Sequence, residues 1–553
     1  MTMSYLPTDD EKRNSLASRL AFSLGKFDQA VGITENGLNA SLAMNWKSQD
    51  VDFELKAKDD DGVEYVDCTL KGHLKAPTVE IGSHATDGIF YLHFGLCNIK
   101  FDWYDGHKIV HVAEDFSNWT LAWSIDFSWE KINSLPDKHR TYVQGSLRDY
   151  SPHRLFVDFS NSNLLVGLPD KCSFPGINNI TSEGRRTAIQ DKVQSFAQRW
   201  ITQEREAGND VLGYQLAALD ASKYPEPTLI PTKATIQSYP YYKNGVKRDG
   251  EYVREDSAFC FLNMYGTHDL PHNNANAVDT LSYTGNLITP FDIVGAADSA
   301  KMAASTCIQG AALWESLKPK LVNMCRVMFY SANSVSAHAD TNMDHCSINF
   351  SVGMGSSNNA TINGPTASST GSGRDYIIST TSSQTSYNRA GPSGIAGAME
   401  GWLDATGTAT LTYQPGSNVL KVVGSSSFTF KYHQRLAATW WGMNTFKAGW
   451  TWTFDLTFSP NAQGELTLAV TNLKTTNDDI VNDTSFGYTS NWSENDQKKW
   501  FQSTHVTANV DSINSALKAN NKFFLPAAGQ YWMQSPSFNN EGDLMVGMTL
   551  QPW

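Results

Sequence analysis

Along much of this chain, large apolar residues alternate with small polar ones at a period of two. The clearest run is Trp119-Thr120-Leu121-Ala122-Trp123-Ser124-Ile125-Asp126-Phe127-Ser128-Trp129. A second run, Trp450-Thr451-Trp452-Thr453-Phe454-Asp455-Leu456-Thr457-Phe458, reads almost the same. A period of two is that of a β-strand with one apolar and one wet face. The runs predict two β-rich halves with aromatic inner surfaces. Trp119, Trp123, Phe127 and Trp129 share one face, and Trp450, Trp452, Phe454 and Phe458 share the other.

Around these runs the pattern predicts further elements. Thr8 and Glu11 have capping-box spacing, and Leu16, Leu20, Leu24, Phe27 and Val31 follow at helical spacing, so a helix is expected up to Asn36-Gly37. From about 38 to 159 the pattern turns to strands at 51–56, 63–66, 89–94, 98–103 and 109–112. Turns at Asp60-Asp61-Gly62 and Asp105-Gly106 make this an antiparallel meander. A helix from Ser182 carries Ile189, Val193, Phe196 and Trp200 on one face. Residues 211–219 read as extended, 225–256 as a surface excursion rich in Pro, Tyr and charge, and 258–262 and 280–283 as strands.

The second half repeats this order. Residues 299–330 read as a helix with Leu317, Leu321, Met324 and Met328 on one face, kinked or divided by Pro319. A strand at 347–352 follows. Residues 353–397, crowded with Ser, Thr, Gly and Asn, read as mobile loops with short polar strands. Strands at 428–432, 450–458 and 466–470 form a second meander. A short helix with Val510, Ile513 and Leu517 comes next, and the chain closes on strands at 523–526 and 543–548. The expected fold class is therefore α+β, divided into an N-terminal half, 1–290, and a C-terminal half, 291–553, each packing a long sheet around an amphipathic helix.

Composition narrows the function classes. The 553 residues carry a formal net charge of −13 with no basic run, which argues against nucleic acid as the main partner. No apolar run approaches the roughly 20 residues that span a bilayer. The first residues lack a basic region followed by an apolar stretch, so a cytoplasmic protein is expected. The seven cysteines are an odd count without Cys-x-x-Cys, which predicts free, mostly buried thiols in a reducing compartment.

Candidate chemistry is sparse. There is no phosphate-binding loop, nucleophile elbow or zinc-protease motif. His268, Asp269 and His272 lie close in sequence, but Pro271 prevents the helix that would align them. His338, Asp340, Asp344, His345 and Cys346 lie where a helix-to-strand turn is expected, and Asp126 and Asp455 fall on the wet faces of their strands. Catalytic residues therefore stay unassigned, and neither a metal nor a cofactor is expected. The aromatic faces remain. Either they are packed core, or Trp119, Trp123, Phe127, Trp450, Trp452 and Phe454, with Phe196, Trp200, Met324 and Met328 from the helices, line an apolar channel for a hydrophobic small molecule or lipid.

The helix–meander–helix order and the aromatic alternation resemble the tubular lipid-binding (TULIP) superfamily. The closing stretch Phe523-Phe524-Leu525-Pro526-Ala527-Ala528-Gly529 with Phe538-Asn539-Asn540-Glu541-Gly542-Asp543-Leu544 resembles proteins of clostridial neurotoxin gene clusters and uncharacterised fungal homologues. The resemblance implies a twisted antiparallel sheet wrapped around a helix, with lipid held in the groove. Three functions follow as expectations. The first is binding of a hydrophobic small molecule or lipid. The second is a cofactor-independent cyclase or isomerase acting in the same cavity. The third is a toxin-complex interaction component, with a protein partner or a second copy of the chain.

Overall fold

The structure is a computed structural model. It describes residues 8–551 apart from 47, 59, 83–86, 136–149, 159–167, 219–228, 230, 249–250, 274–276, 290–301, 342–345, 355–360, 370, 372, 392–396, 437–438, 463, 478–480, 484–509, 519–522 and 526–528.

Helix α1 (Asp9–Leu20) starts with the expected capping box: Thr8 Oγ1 accepts the Glu11 amide and Glu11 Oε2 accepts the Thr8 amide. It stops at Ala21, well short of Asn36-Gly37. The buried face is Ser15, Ser18 and Arg19 rather than the leucine stripe. At Ser18 the backbone of another segment comes close: a Cβ on Gly245 would stand 2.2 Å from Ser18 Cβ, which leaves no room for a larger side chain. Val31 belongs to β1 (Gln29–Thr34), buried on both faces, and Asn36-Gly37 lies inside α2 (Glu35–Asn45), capped by Thr34.

The first meander follows the predicted order: β2 (Gln49–Lys58), β3 (Glu64–Leu74), β4 (Thr78–Ile81), β5 (Asp87–Tyr104), β6 (Ile109–Ser117), β7 (Thr120–Lys131), β8 (Tyr150–Asp158), then α3 (Glu183–Glu206) and β9 (Val211–Ala218). The strands expected at 89–94 and 98–103 are one strand, β5. Its inward set runs Phe90, Leu92, Phe94 and then Cys97, Ile99, Phe101, so the alternation slips by one residue. A register shift between Gly72 and Leu74 of β3 absorbs the slip. Leu96 is left facing outward, 78% exposed.

The segment 225–256 is not a surface excursion in its described part. It contains β10 (Pro231–Tyr239), and Tyr239, Tyr241 and Tyr242 are buried. β11 (Ala258–Tyr265) follows as predicted. Residues 280–283 form no strand: the Gln237 side chain holds both the N–H and the C=O of Leu281, doing the work of a neighbouring strand. The single helix expected at 299–330 is a strand, β12 (Ala304–Ile308), then α4 (Gly310–Arg326), with 299–301 outside the described residues. α4 runs through Pro319 undivided. Leu317, Leu321 and Met324 are buried on it, and Met328 is buried in the turn beyond it.

The remainder is β13 (Tyr330–His338), β14 (Ser347–Met354), β15 (Thr361–Ala367), β16 (Arg374–Ala390), β17 (Gly397–Tyr413), β18 (Val419–Leu436), β19 (Thr439–Pro460), β20 (Leu466–Asn477), β21 (Val481–Asp483), α5 (Asp511–Lys518), β22 (Phe523–Leu525), β23 (Gly529–Phe538) and β24 (Leu544–Gln551). The polar stretch read as loops thus holds a 17-residue strand, β16. Its polar side chains have a partner. Ser382 and Ser386 accept the backbone amides of Ala332 and Ala337 on β13, which lies across it, and Asn388 accepts that of Ala339 just beyond β13.

Two main sheets result among the described residues, both antiparallel. The larger runs β10-β11-β1-β12-β24-β23-β22-β9-β8-β7-β5-β3-β2, with β4 and β6 also on β5. The smaller runs β15-β16-β17-β18-β19-β20, with β21 on β19, and β13–β14 form a separate pair. The fold is α+β, with long curled sheets wrapped around helices, as predicted. The two aromatic strands, β7 and β19, lie in different sheets. The larger sheet takes strands from both sides of residue 290, because β12 and β22–β24 join it. One apolar core runs through both sheets and contains α3 and α4.

Candidate functional site

The ten residues predicted to line a channel are all buried in this core. In the larger sheet Phe127 packs on Phe259 and Trp123 lies near Phe90. From α3, Phe196 packs against Phe53 and Phe94, and Trp200 packs edge-on to Trp46. In the smaller sheet Trp450 and Trp452 are 4.5 Å apart, and Trp452 abuts Phe329. Its indole lies directly over Gly424, where a Cβ would stand 2.2 Å away.

Trp119 alone of the ten lines the largest cleft described, of about 830 Å³. This cleft opens where β5, β6 and the start of β7 meet the loop before α3. Hydrogen bonds between Thr120 and Ser173 bring that loop to the sheet, and Trp119 Nε1 donates to Pro175 O at 3.0 Å. Phe116 packs on one side of the indole and Phe174 stands edge-on to it. Half-buried Ile177 and Ile180 and outward-facing Leu96 give the cleft its apolar surface, with Ile189 buried behind them. Ser182 caps α3 by accepting the Arg185 amide.

The rim is polar. Arg185 pairs with Glu114, and its Nε–H has no acceptor among the described residues. Asn98 donates to Asp115 Oδ1 at 2.7 Å, and Lys71 pairs with Asp52 at 2.6 Å. The cleft can therefore hold a molecule with an apolar body and a polar, hydrogen-bond-accepting end. Sequence reasoning found Trp119 but missed its partners. Ile177 opens a single 3₁₀ turn and Ile180 follows it, so neither shows a period, and Leu96 faces out only because β5 slips its alternation.

The other sequence candidates are held apart. His268 Nδ1 lies 2.7 Å from Asp28 Oδ2, and Asp269 pairs with Lys233. Asp344 and His345 lie outside the described residues, and no group of three or more His, Cys, Asp or Glu is gathered for a metal among the described ones. Asp455 accepts from Asn472 at 2.7 Å, and Asp126 stands opposite Asp158. All seven cysteines are free. No helix among the described residues is long and apolar enough to cross a membrane.

A charged network went unread in the sequence. Arg254 bridges Glu35 and Glu80, at 3.3 and 2.9 Å, and Tyr91 donates to Glu80. Burial pushes the Glu35 carboxyl up against the pull of Ile81 N–H and Arg254. For Glu80 burial acts the same way but is outweighed by Tyr91, Arg254 and Lys171, and its pKa falls. Glu35 opens α2 and Glu80 sits in β4, so the network ties these elements together.

No family model matches the chain, and no curated protein matches it. Among solved structures, P47 of Clostridium botulinum E1 aligns with 95% of this chain and 99% of its own at 10% identity and a TM-score of 0.40. P47 from Clostridium botulinum A2 aligns with 97% and 100% at 10% identity and 0.41. Lipopolysaccharide binding protein aligns with 95% and 99% at 10% identity and 0.30.

Proposed function

We propose that this protein binds an amphipathic lipid or similar hydrophobic small molecule in the cleft between β5–β7 and the start of α3. The observation that carries this reading is an apolar floor whose open surface is Leu96, Ile177 and Ile180, beside a rim that holds the part-exposed Arg185–Glu114 pair. The apolar body of the ligand lies on the floor and its polar end meets Arg185. Behind the floor the apolar layer continues through Phe116, Phe94 and Phe196. In this reading Trp123, Phe127 and Trp200 back the site, and Trp450, Trp452, Phe454, Met324 and Met328 form the equivalent layer of a second half, 291–553.

Native mass spectrometry of the protein purified from its own host, with Ile180→Trp beside it, tests the proposal. The expected result is a co-purifying apolar ligand that is lost when the new indole fills the cleft. A ligand-free native protein, or a ligand retained equally by the variant, would overturn it.

A further inference from the structure

A second cleft, of about 620 Å³, lies on the far side of the larger sheet's β10 end, in the stretch 238–283. Its walls differ in chemistry from the first. Four are tyrosines, Tyr239, Tyr242, Tyr252 and Tyr283, with Lys247 and Ser282 among the polar groups at the edge.

The tyrosines are fixed in advance. Tyr239 donates its hydroxyl to Gly285 O at 2.8 Å, and Tyr283 donates to Asn286 Oδ1 at 2.8 Å. Asn286 also holds both backbone groups of Tyr242, and Tyr242 pairs with Tyr252 through an isolated bridge. The Tyr239 and Tyr242 rings are buried and form the back of the cleft, and the half-buried Tyr283 and the exposed Tyr252 present ring carbons to it. The Tyr239 and Tyr283 rings are stacked at 29°, whereas Tyr242 stands at 75° to Tyr283 and 61° to Tyr252. Tyr252, 41% exposed, forms the outer wall.

We infer that this cleft is a carbohydrate-binding site. A pyranose ring has one face of C–H groups that packs on an aromatic ring and a rim of hydroxyls that need donors and acceptors. The Tyr252 and Tyr283 rings supply the first, and Ser282 and Lys247 supply the second. A lipid chain would find few aliphatic partners among these walls. A flat nucleobase needs two facing rings with a gap between them; Tyr239 and Tyr283 are already stacked on each other, and the exposed Tyr252 meets Tyr242 at 61°. Lys247 beside the rings disfavours a quaternary ammonium ion. The site is separate from the cleft at Trp119 and stands whether or not that one holds lipid.

The test is an array of neutral and acidic oligosaccharides probed with the full chain, followed by calorimetry on the best saccharide. Tyr252→Ala is expected to weaken binding by about tenfold, the scale of one lost aromatic contact. Tyr252→Phe, which keeps the ring, is expected to recover most of the binding that Tyr252→Ala loses. No saccharide bound, binding indifferent to Tyr252→Ala, or adenosine monophosphate or tetramethylammonium bound in preference to every saccharide would each overturn the inference.

Discussion

Strands β7 and β19 are near copies in sequence and differ in what covers them. At the start of β7 the cover is an irregular loop and the first turn of α3, which meet the sheet at an angle and leave a cleft over Trp119. On β19 the cover is close-packed. Trp452 lies between Trp450, Phe329 and the bare backbone of Gly424. The indole N–H of Trp119 has an acceptor in Pro175, whereas those of Trp450 and Trp452 have none among the described residues. An aromatic face therefore marks what is buried; the element laid over it decides whether space for a ligand is left.

The largest effect should come from truncating the two tryptophans in parallel. Trp452→Ala is expected to cost about 3–5 kcal/mol, as large core aromatics do, because the packing around it has no slack. Trp119 is as buried as Trp452, but Trp119→Ala is expected to cost at least about 1 kcal/mol less, since the loop over it borders a cleft and can settle into the void, and to lose any ligand of the cleft. Denaturant unfolding of both variants checks this. Equal costs would erase the distinction between the two strands.

A smaller effect, of opposite sign, belongs to the flank of β7. Asp210 precedes β9, and its backbone carbonyl accepts Val157 N of β8. Burial raises its carboxyl to about 6, only partly opposed by Arg154. A folded-state pKa above the unfolded one means that the native state binds the extra proton, so stability falls as pH rises from about 4 to about 6. Asp210→Asn should therefore stabilise the protein at pH 7 by about 2 kcal/mol and have almost no effect below pH 4. A gain independent of pH would count against a buried charge.

The smallest effect sharpens the other side of the comparison. Ser386→Ala on β16 removes the acceptor of Ala337 N–H, at an expected cost of about 1 kcal/mol. The neighbouring exposed Thr385→Ala should be close to neutral. If both cost the same, the serine and asparagine side chains are not what seats β13 on the sheet.

These cases show where sequence reading reached and where it stopped. Alternation is a local property of a strand. It placed both aromatic strands, the meander from 49 to 131 and α3 with its buried face, because a strand or helix exposed on one side must repeat its pattern to bury the other. It failed where a partner far along the chain supplied what the local pattern lacked. β16 reads as loop because its polar side chains are matched to the backbone of β13, about fifty residues away. Residues 280–283 read as a strand but form none, because Gln237 holds the backbone of Leu281. β5 reads as two strands because its slip in alternation is absorbed on β3.

The sequence by itself determined the fold class, the aromatic inner faces and the absence of any standard catalytic motif. Only the tertiary structure decided that β12 and the C-terminal strands join the first sheet, that Trp119 lines a cleft while Trp452 is sealed, and that four tyrosines converge on a second cleft. The reason is physical. Burial depends on one residue's chemistry and its period, but a cavity depends on the gap between two elements, and nothing in either element's own pattern records the distance to the other.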